Sequence, residues 1–431
     1  MNPTVARARK ALKRFMYDGR RAPREESMII ELANTPRDYS WGSTTGIPEF
    51  LGIEPDGRPQ AELWLGTHAG SPARAVRVAP DREERHPTLS DWLHAHPHLA
   101  GADAAAAGLP ILLKLLSADS PLSLQVHPTP QQARAGFDEE NARGIPIGDP
   151  ARNYKDPFPK PEIIVAVSRR FDALCGFRPA DEVSAIMAEI EEHDVPATGA
   201  LREILADPTR IGDALAWLLS GAPEAAECAV SVESFAQKEV AATSPSAPSW
   251  ATVREIAAHY PGDPGIVVAL LMNRVSLRRG QALFAPAGIL HAYLSGVGVE
   301  LMIASDNVVR GGLTPKHIDT LELLRLLSFE QQPPELLEAR RVAPGLVAYE
   351  PPAPFALWAA DSAQPDLQIP LAGPALALIE GADVTLESPD TSLTLPRGGA
   401  GFISPDESPL TVHGSGLLWL AVTSANSDAR H

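Results

Sequence analysis

A glutamine and a histidine lie two positions apart in residues 121–128, which read Pro-Leu-Ser-Leu-Gln-Val-His-Pro. We predict that this segment is a strand, and side chains two positions apart on a strand point to the same face. Gln125 and His127 therefore offer an amide oxygen and an imidazole nitrogen to one ion. Glu162 adds a carboxylate at the head of the apolar run 163–167. These three residue types can bind a metal ion together.

A fourth candidate ligand, His291, ends the pattern Gly280-(five residues)-Pro286-Ala-Gly288-Ile-Leu-His291. This spacing resembles the second motif of the cupin family, G-x5-P-x-G-x2-H. Glycine permits a tight turn and Pro-x-Gly shapes the next one, so His291 is predicted to begin a strand facing into a barrel. Two histidines, a glutamate and a glutamine suit Zn²⁺, with Fe²⁺, Mn²⁺ and Co²⁺ as alternatives. A single carboxylate leaves Zn²⁺ a net positive charge, so the ion stays a strong Lewis acid.

The same frame returns near the end of the chain, as Gly399-(five residues)-Pro405-Asp-Glu-Ser-Pro-Leu410. Leu410 takes the position of the histidine. An internal repeat with an apolar residue in the ligand position predicts a second, degenerate jelly roll that binds no metal.

The elements that must position these residues differ along the chain. Short apolar runs separated by Gly, Pro, Asp and Asn predict an all-β core over about residues 28–170. Residues 179–263 are rich in Ala, Glu and Leu at helical spacing, with a Ser- and Pro-rich loop at 243–249. After a short helix, strands return, followed by a helix at about 320–327 and a β pattern from about residue 341.

We therefore predict a mainly β fold with two cupin-type jelly-roll domains and an α-helical insertion. Residues 1–27 are predicted to be a disordered basic extension. Residues 28–178 and 264–330 are predicted to form the catalytic cupin domain, with the helical insertion at 179–263. Residues 331–431 are predicted to form the degenerate C-terminal cupin domain.

Composition excludes several classes of partner. The net charge is −17, which disfavours binding to nucleic acid or anionic lipid. The longest apolar runs are far shorter than the roughly 20 residues that span a bilayer. Two cysteines without a pairing pattern fit a reducing compartment. We predict a cytoplasmic monomer with no nucleic-acid or membrane partner.

Several sequence blocks together resemble the type I phosphomannose isomerases. The resemblance covers about residues 28–330 and continues more loosely to the end. It rests on Tyr39-Ser-Trp41-Gly42, Ala61-Glu62-Leu-Trp64-Leu-Gly66, residues 121–128, Asn153-Tyr-Lys155-Asp156-Pro157, Lys160-Pro-Glu162, Leu290-His291-Ala-Tyr293-Leu294 and the run from Glu300 to Lys316 that contains Asp306-Asn-Val-Val-Arg310-Gly-Gly.

The resemblance implies a reversible, zinc-dependent conversion of mannose 6-phosphate to fructose 6-phosphate, with one zinc per chain. The family's ligands correspond to Gln125, His127, Glu162 and His291, and its catalytic arginine to Arg310. The resemblance also implies that pocket positions with acid–base or substrate-binding roles are occupied by Lys160, Glu300, Asp306, Trp41 and Glu62.

Aldose–ketose exchange moves a proton between C1 and C2 through an enediol, so it needs an electrophile and a base. Arg310 can stabilise the enediolate or hold the phosphate, and a structural salt bridge with Asp306 is an alternative. Glu300 and Asp306 are both candidate bases. Lysines are scarce in this chain, so Lys114 and Lys316 are predicted to recognise phosphate, with a hydroxyl from Ser123.

One position departs from the family pattern. Many bacterial relatives have histidine before the Lys-Pro-Glu segment, and this chain has Pro159. The ring-opening role proposed for that histidine therefore cannot be transferred. His68 and His317 remain candidates for the pocket wall.

Three other functions were weighed against the isomerase. An iron-dependent cupin dioxygenase typically has more histidine ligands, so Gln125 disfavours it. A non-catalytic sugar-phosphate sensor would not need Arg310, Asp306 and Lys160 together. A second nucleotidyltransferase activity would need a Gly-rich nucleotide loop, and the sequence has none.

Overall fold

The computed structural model describes residues 28–78, 88–97, 108–389 and 391–423. The predicted basic extension at 1–27 lies outside these ranges. Antiparallel sheets flank a helical region, so the chain is a mixed α/β protein in which strands dominate both ends. Among the described helices, none is both long and apolar enough to cross a membrane.

The strands fall into three groups along the chain. Before the helical region, β1–β7 are Ile29–Ala33, Glu62–Leu65, Arg74–Val78, Ile111–Ala118, Gln125–Val126, Glu162–Ala166 and Arg170–Phe177. Directly after it, β8–β11 are Met272–Arg278, Ala282–Ala285, His291–Ile303 and Val309–Arg310. In the C-terminal part, β12–β22 are Leu336–Leu337, Arg340–Ala343, Leu346–Tyr349, Phe355–Asp361, Leu367–Ile369, Ala375–Glu380, Val384–Glu387, Ser392–Leu395, Ala400–Ile403, Leu410–Gly414 and Leu417–Thr423.

The helices concentrate in the middle of the chain. Those of the first part, α1–α3, are Gly46–Leu51, Leu89–Ala95 and Pro130–Ala142. The helical region contains α4–α9, which are Ala180–Glu192, Gly199–Ile204, Ile211–Leu218, Pro223–Ala236, Glu239–Thr243 and Ala247–Ala257. Two more, α10 and α11, are Gly265–Leu270 and Thr320–Leu326, and a 3₁₀ turn covers Pro405–Glu407. The predicted helical region and the helix at about 320–327 are confirmed.

Two predictions of secondary structure need correction, and in both places a helix begins at or next to a proline. The first part of the chain is not all-β, because α3 occupies Pro130–Ala142. Its start is fixed by a capping box in which Thr129 and Gln132 exchange hydrogen bonds, with Pro130 in the first turn. The predicted loop at 243–249 is likewise short, since α9 already begins at Ala247 with Pro248 in its first turn. A proline there loses no helical hydrogen bond.

The long strand β10 organises the first sheet. Its first residues pair with β5 and β7, and its later residues pair with β4 and β6, all antiparallel. His291, its first residue, lies directly opposite Gln125 of β5. At the other end, Glu300 lies opposite Lys114 of β4. One strand therefore carries side chains from the metal-ligand set and from the predicted acid–base set.

The C-terminal sheet also contains strands from the start of the chain. Its order is β13-β14-β15-β22-β17-β20-β1-β3, so β1 lies between β20 and β3. A smaller sheet, β16-β21-β18-β19, accompanies it. The predicted boundary at 330/331 is crossed by this pairing, because residues 29–33 and 74–78 hydrogen-bond within the C-terminal sheet. The division into domains stays a prediction.

Candidate active site and metal centre

Three buried side chains from three elements converge on one point. His127 follows β5, Glu162 begins β6 and His291 begins β10. One ligand atom from each lies within 4.8 Å of the other two. The predicted strand around His127 is shorter than expected, since β5 covers only Gln125–Val126 and His127 follows it.

Backbone carbonyls fix the orientation of both imidazoles. His127 Nδ1 donates to the carbonyl of Asn307 at 2.8 Å, and His291 Nδ1 donates to that of Ile289 at 3.0 Å. Because Nδ1 carries the hydrogen, each Nε2 presents a lone pair. These Nε2 atoms lie 3.4 Å and 3.3 Å from the two carboxylate oxygens of Glu162.

The close approach of these three side chains is energetically unfavourable without a bound cation. Within the described ranges, His127 Nε2, His291 Nε2 and Glu162 Oε2 have no hydrogen-bond partner and are buried. Lone pairs that face one another at this distance repel, and buried unpaired polar atoms are costly. A metal ion would satisfy all three atoms. The nitrogen and oxygen donors fit Zn²⁺.

The charge states also suit metal binding. Burial, aided by Lys160, lowers the pKa of His127 to about 4, so the imidazole is neutral near pH 7. The pKa of Glu162 is well below its usual range, because the nearby ammonium of Lys160 outweighs the effect of burial. Lys160 Nζ lies 2.7 Å from Glu162 Oε1.

Gln125 lies beside this cluster. It is half-buried, faces His291 across the β5–β10 pair and lines the same cavity as Glu162. Gln125 is therefore near the cluster and accessible from the cavity.

A cavity of about 450 Å³ opens above the cluster. It brings together every predicted catalytic and substrate-binding residue, along with two of the predicted ligands: Trp41, Glu62, Lys114, Ser123, Gln125, Lys160, Glu162, Glu300, Asp306, Arg310 and Lys316. His127 and His291 approach Glu162 in the core. Of the two histidines left open, His68 lines this cavity and His317 lines another.

Other residues of the wall were not singled out from the sequence. Tyr293 is buried and lies two positions after His291, so strand alternation could have indicated its shared face. Tyr260, at the end of the helical region, donates a hydrogen bond to the carbonyl of Pro121 at 2.9 Å. No local signal points to Tyr260, because only the tertiary fold brings it to the cavity.

Asn307 supports the site through its backbone and its amide. Its carbonyl holds His127, and its buried side chain binds the backbone of Lys155, Asp156 and Phe158. The loop that precedes Lys160 is thereby tied to the loop that carries Asp306.

One wall of the cavity holds a buried charged group of three residues. Lys114 Nζ lies 3.2 Å from Glu62 Oε1 and 3.1 Å from Glu300 Oε2. It also lies over the ring of Trp64, at 4.9 Å from its centroid. Burial lowers the pKa of Lys114, but Glu300 and Glu62 outweigh burial and raise it overall, so the ammonium stays charged. Burial raises the pKa of Glu300, while Lys114 lowers it. The carboxylates of Glu162 and Glu62 also raise it, so the pKa is raised overall.

The cavity lining also contains two cations, Arg310 and Lys316, without an observed carboxylate partner among the described residues. Arg310 is half-buried on β11 and its pKa is lowered by burial, while burial and Arg310 together lower the pKa of Lys316. No carboxylate forms an ion pair with Arg310 or Lys316 in the described part of the chain. Asp306 contacts His68 instead, at 3.3 Å, so the alternative of an Asp306–Arg310 salt bridge is not observed.

The fold and the site define a metal-binding protein with a polar, sugar-sized cavity above the His127–Glu162–His291 site. A sequence model described as "Phosphomannose isomerase type I, catalytic domain" matches residues 29–180. The mannose-6-phosphate isomerase of Escherichia coli K12 is 36% identical over 397 residues, which cover 90% of this chain and 98% of that one. The human enzyme of the same name is 29% identical over 413 residues, covering 88% and 94%. The chain belongs to the type I phosphomannose isomerase family.

Solved structures agree with this assignment. A zinc-bound mannose 6-phosphate isomerase is similar with a TM-score of 0.79 and 32% identity, covering 92% of this chain and 99% of that one. A mutant of phosphomannose isomerase from Salmonella typhimurium gives a TM-score of 0.80 at 33% identity, with the same coverage.

Proposed function

We propose that this protein interconverts mannose 6-phosphate and fructose 6-phosphate through an enediol, with one zinc ion per chain. The observation that carries the proposal is the buried His127–Glu162–His291 cluster, whose unpaired atoms lie at the base of the cavity. Relatives that carry the name mannose-6-phosphate isomerase over nearly their whole length support the substrate.

Zinc is held in this proposal by Gln125, His127, Glu162 and His291. When bound, it supplies a Lewis acid that polarises the sugar's oxygens next to the carbon that loses its proton. The protein's own contribution is to orient both imidazoles through hydrogen bonds from Nδ1 to backbone carbonyls. Arg310 faces Gln125 across β5 and β11.

Arg310 and Lys316 form the anion-binding side of the pocket. Two cations without a described carboxylate partner favour an anionic ligand, because the ligand would relieve the repulsion between them. We assign the enediolate oxygen to Arg310, because it lies opposite the proposed ligand Gln125. We assign the phosphate to Lys316 with the Ser123 hydroxyl. Trp41 would pack on the apolar face of the sugar.

Glu300 and Asp306 have opposite environments, which suggests different roles. A carboxyl whose pKa is raised toward neutrality is matched to shuttling a proton between C1 and C2. Glu300 fits this role, since it is fully buried and its pKa is raised. Lys114, predicted to bind phosphate, is already neutralised by Glu62 and Glu300, so we assign it to holding Glu300 in place. Lys160, bound to Glu162, would donate to a sugar oxygen.

The finer description of the fold is part of the same proposal. The frame that leads to His291 is matched by the one that leads to Leu410. In both, a strand (β9 or β20) follows the glycine turn, and the residue in the ligand position begins the next strand. This supports two cupin-type jelly rolls, with β1 and β3 added to the second. We further propose that the protein is cytoplasmic and that it is a monomer. A size measurement in solution would test the monomeric state.

A coupled assay of mannose 6-phosphate turnover, with and without a chelator, tests the function. We expect turnover that the chelator abolishes and added zinc restores. Absence of turnover by the zinc-loaded protein would leave a sugar-phosphate sensor as the alternative, and activity that requires iron and oxygen would point to a dioxygenase.

A further inference from the structure

His68 and Asp306 form a pair at the rim of the proposed active site. His68 lies in the loop after β2, and Asp306 lies between β10 and β11. His68 Nε2 is 3.3 Å from Asp306 Oδ1. The imidazole is 10% exposed and the carboxylate 55% exposed, so a mostly enclosed ring holds a carboxylate that is open to the cavity.

The direction of the hydrogen bond is fixed by the other side of the ring. The backbone N–H of Gly70 donates to His68 Nδ1 at 3.1 Å. Nδ1 therefore carries the lone pair, and Nε2 carries the hydrogen that Asp306 accepts. The ring also stands edge-on to Trp64, with centroids 4.9 Å apart. This histidine is consequently a neutral donor in one tautomer and one orientation.

Asp306 is fixed at its backbone as well. Its N–H donates to Asp156 Oδ2 at 2.9 Å. No second hydrogen bond to the Asp306 carboxylate is found among the residues that the structure describes, so one oxygen remains available to a ligand. A hydrogen bond to a carboxylate that is this exposed contributes little to stability, which leaves stability a weak reason for such a defined contact.

We propose that His68 is a positioning residue, which holds the Asp306 carboxylate toward the substrate so that it accepts a proton from a sugar hydroxyl. The inference rests on the proposed function and adds a residue to it. In the step, the hydroxyl O–H bond breaks, its proton bonds to the free Asp306 oxygen, and the electron pair stays on the sugar oxygen. Pro159 cannot supply a proton acceptor, and the Nε2 atoms of His127 and His291 face Glu162 in the candidate metal site.

The charges around Asp306 keep its carboxylate ionised, which is the form that can accept a proton. Burial alone would raise the pKa of Asp306, but the His68 contact and the cations Lys160 and Lys114 lower it overall. Lys155 and Asp156 also face the carboxylate. Loss of the His68 contact is therefore expected to raise the pKa of Asp306.

His68→Ala and His68→Gln separate positioning from packing. A glutamine amide can donate to Asp306 and accept from Gly70, as the imidazole does, whereas alanine can do neither. We expect His68→Ala to lower kcat by roughly 10- to 100-fold, as for other groups that orient a functional side chain, and His68→Gln to recover most of the loss. His317→Ala, in the separate cavity, is the control.

Two measurements without turnover complete the test. Carboxyl ¹³C NMR, with the resonance assigned by its absence in Asp306→Asn, should show the pKa of Asp306 raised in His68→Ala and unchanged in His68→Gln. Zinc content should equal that of the wild type in all variants. Wild-type kcat and an unshifted pKa in His68→Ala would overturn the proposal, and so would a glutamine variant as impaired as alanine. A wild-type protein without isomerase activity would refute the proposed function, while the NMR result would still report on the contact.

Discussion

Arg310 and Gln125 are cross-strand neighbours, paired between the two-residue strands β11 and β5. Gln125 is at the same time the neighbour of His291 on β10. Three adjacent strands thus place an arginine, an amide and an imidazole in one row across the sheet. A guanidinium in this position is adjacent to the proposed zinc ligands, where charge develops on the enediolate.

This placement predicts the kinetic effect of losing the guanidinium. We expect Arg310→Ala to lower kcat and kcat/KM together by roughly 10²–10³, as for other oxyanion stabilisers. Arg310→Lys should recover little, because the planar fork is lost while the charge is kept. Steady-state kinetics at equal zinc content checks this. A higher KM with normal kcat would instead assign Arg310 to the phosphate.

The second prediction concerns the metal. Purified protein should contain about one zinc per chain, and chelation should abolish turnover, because the cluster's unpaired atoms need the ion. His291→Ala should lose the zinc. His413→Ala, at an exposed histidine paired with Glu387, should keep it. Elemental analysis measures the zinc content, and activity assays before and after chelation test whether turnover needs the ion. Full activity in metal-free protein would contradict the mechanism.

The third prediction uses the buried Lys114 group. Lys114→Met leaves Glu62 and Glu300 without their cation, and breaking a buried pair costs about 3–5 kcal/mol of unfolding free energy. The loss should grow as pH rises, since Glu300, whose pKa is raised, must then hold an uncompensated charge. Denaturant unfolding at pH 5.5 and pH 8 measures both effects. The double variant Lys114→Met/Glu300→Gln should regain stability at pH 8, and a pH-independent loss would refute this account.

The fourth prediction concerns Leu410, the residue in the ligand position of the second repeat. It is fully buried among apolar side chains such as Ile369 and Val412. Leu410→Ala should lower the free energy of unfolding by about 2–5 kcal/mol and leave zinc content unchanged. Leu321→Ala, at a leucine that is 83% exposed, is the matched control and should stay within about 0.5 kcal/mol of the wild type. More than one zinc per chain, or an ion bound between the strands of the second repeat, would contradict a metal-free second repeat.

The sequence was most informative where chemistry depends on short spacing. The Gly-Pro-Gly-His frame and the Lys-Pro-Glu segment predicted which residues would meet, and the structure brings them together. The capping box at Thr129 has a recognisable sequence pattern, Thr-x-x-Gln, which the prediction of an all-β core over residues 28–170 did not include.

Contacts between distant segments were not predictable in the same way. The pattern of residues 29–33 indicates a buried strand, but a buried strand is compatible with any sheet of the protein. The partners of His68 and Lys114 likewise depend on loops and strands that only the complete fold brings together. Lys114 was expected to meet phosphate because lysines are scarce in this chain. Its two carboxylate neighbours are about 50 and 190 positions away in the chain, so no local pattern indicated them.

The position of β1 between β20 and β3 has a consequence for biosynthesis. Residues 400–403, which bind one edge of β1, are synthesised about 370 residues after β1. Until then that edge of β1 is open to pairing with other chains, which is the usual route to aggregation of an unfinished sheet. A truncation that removes β20 would therefore leave open edges on both β1 and β17, which are more than 300 residues apart in the chain.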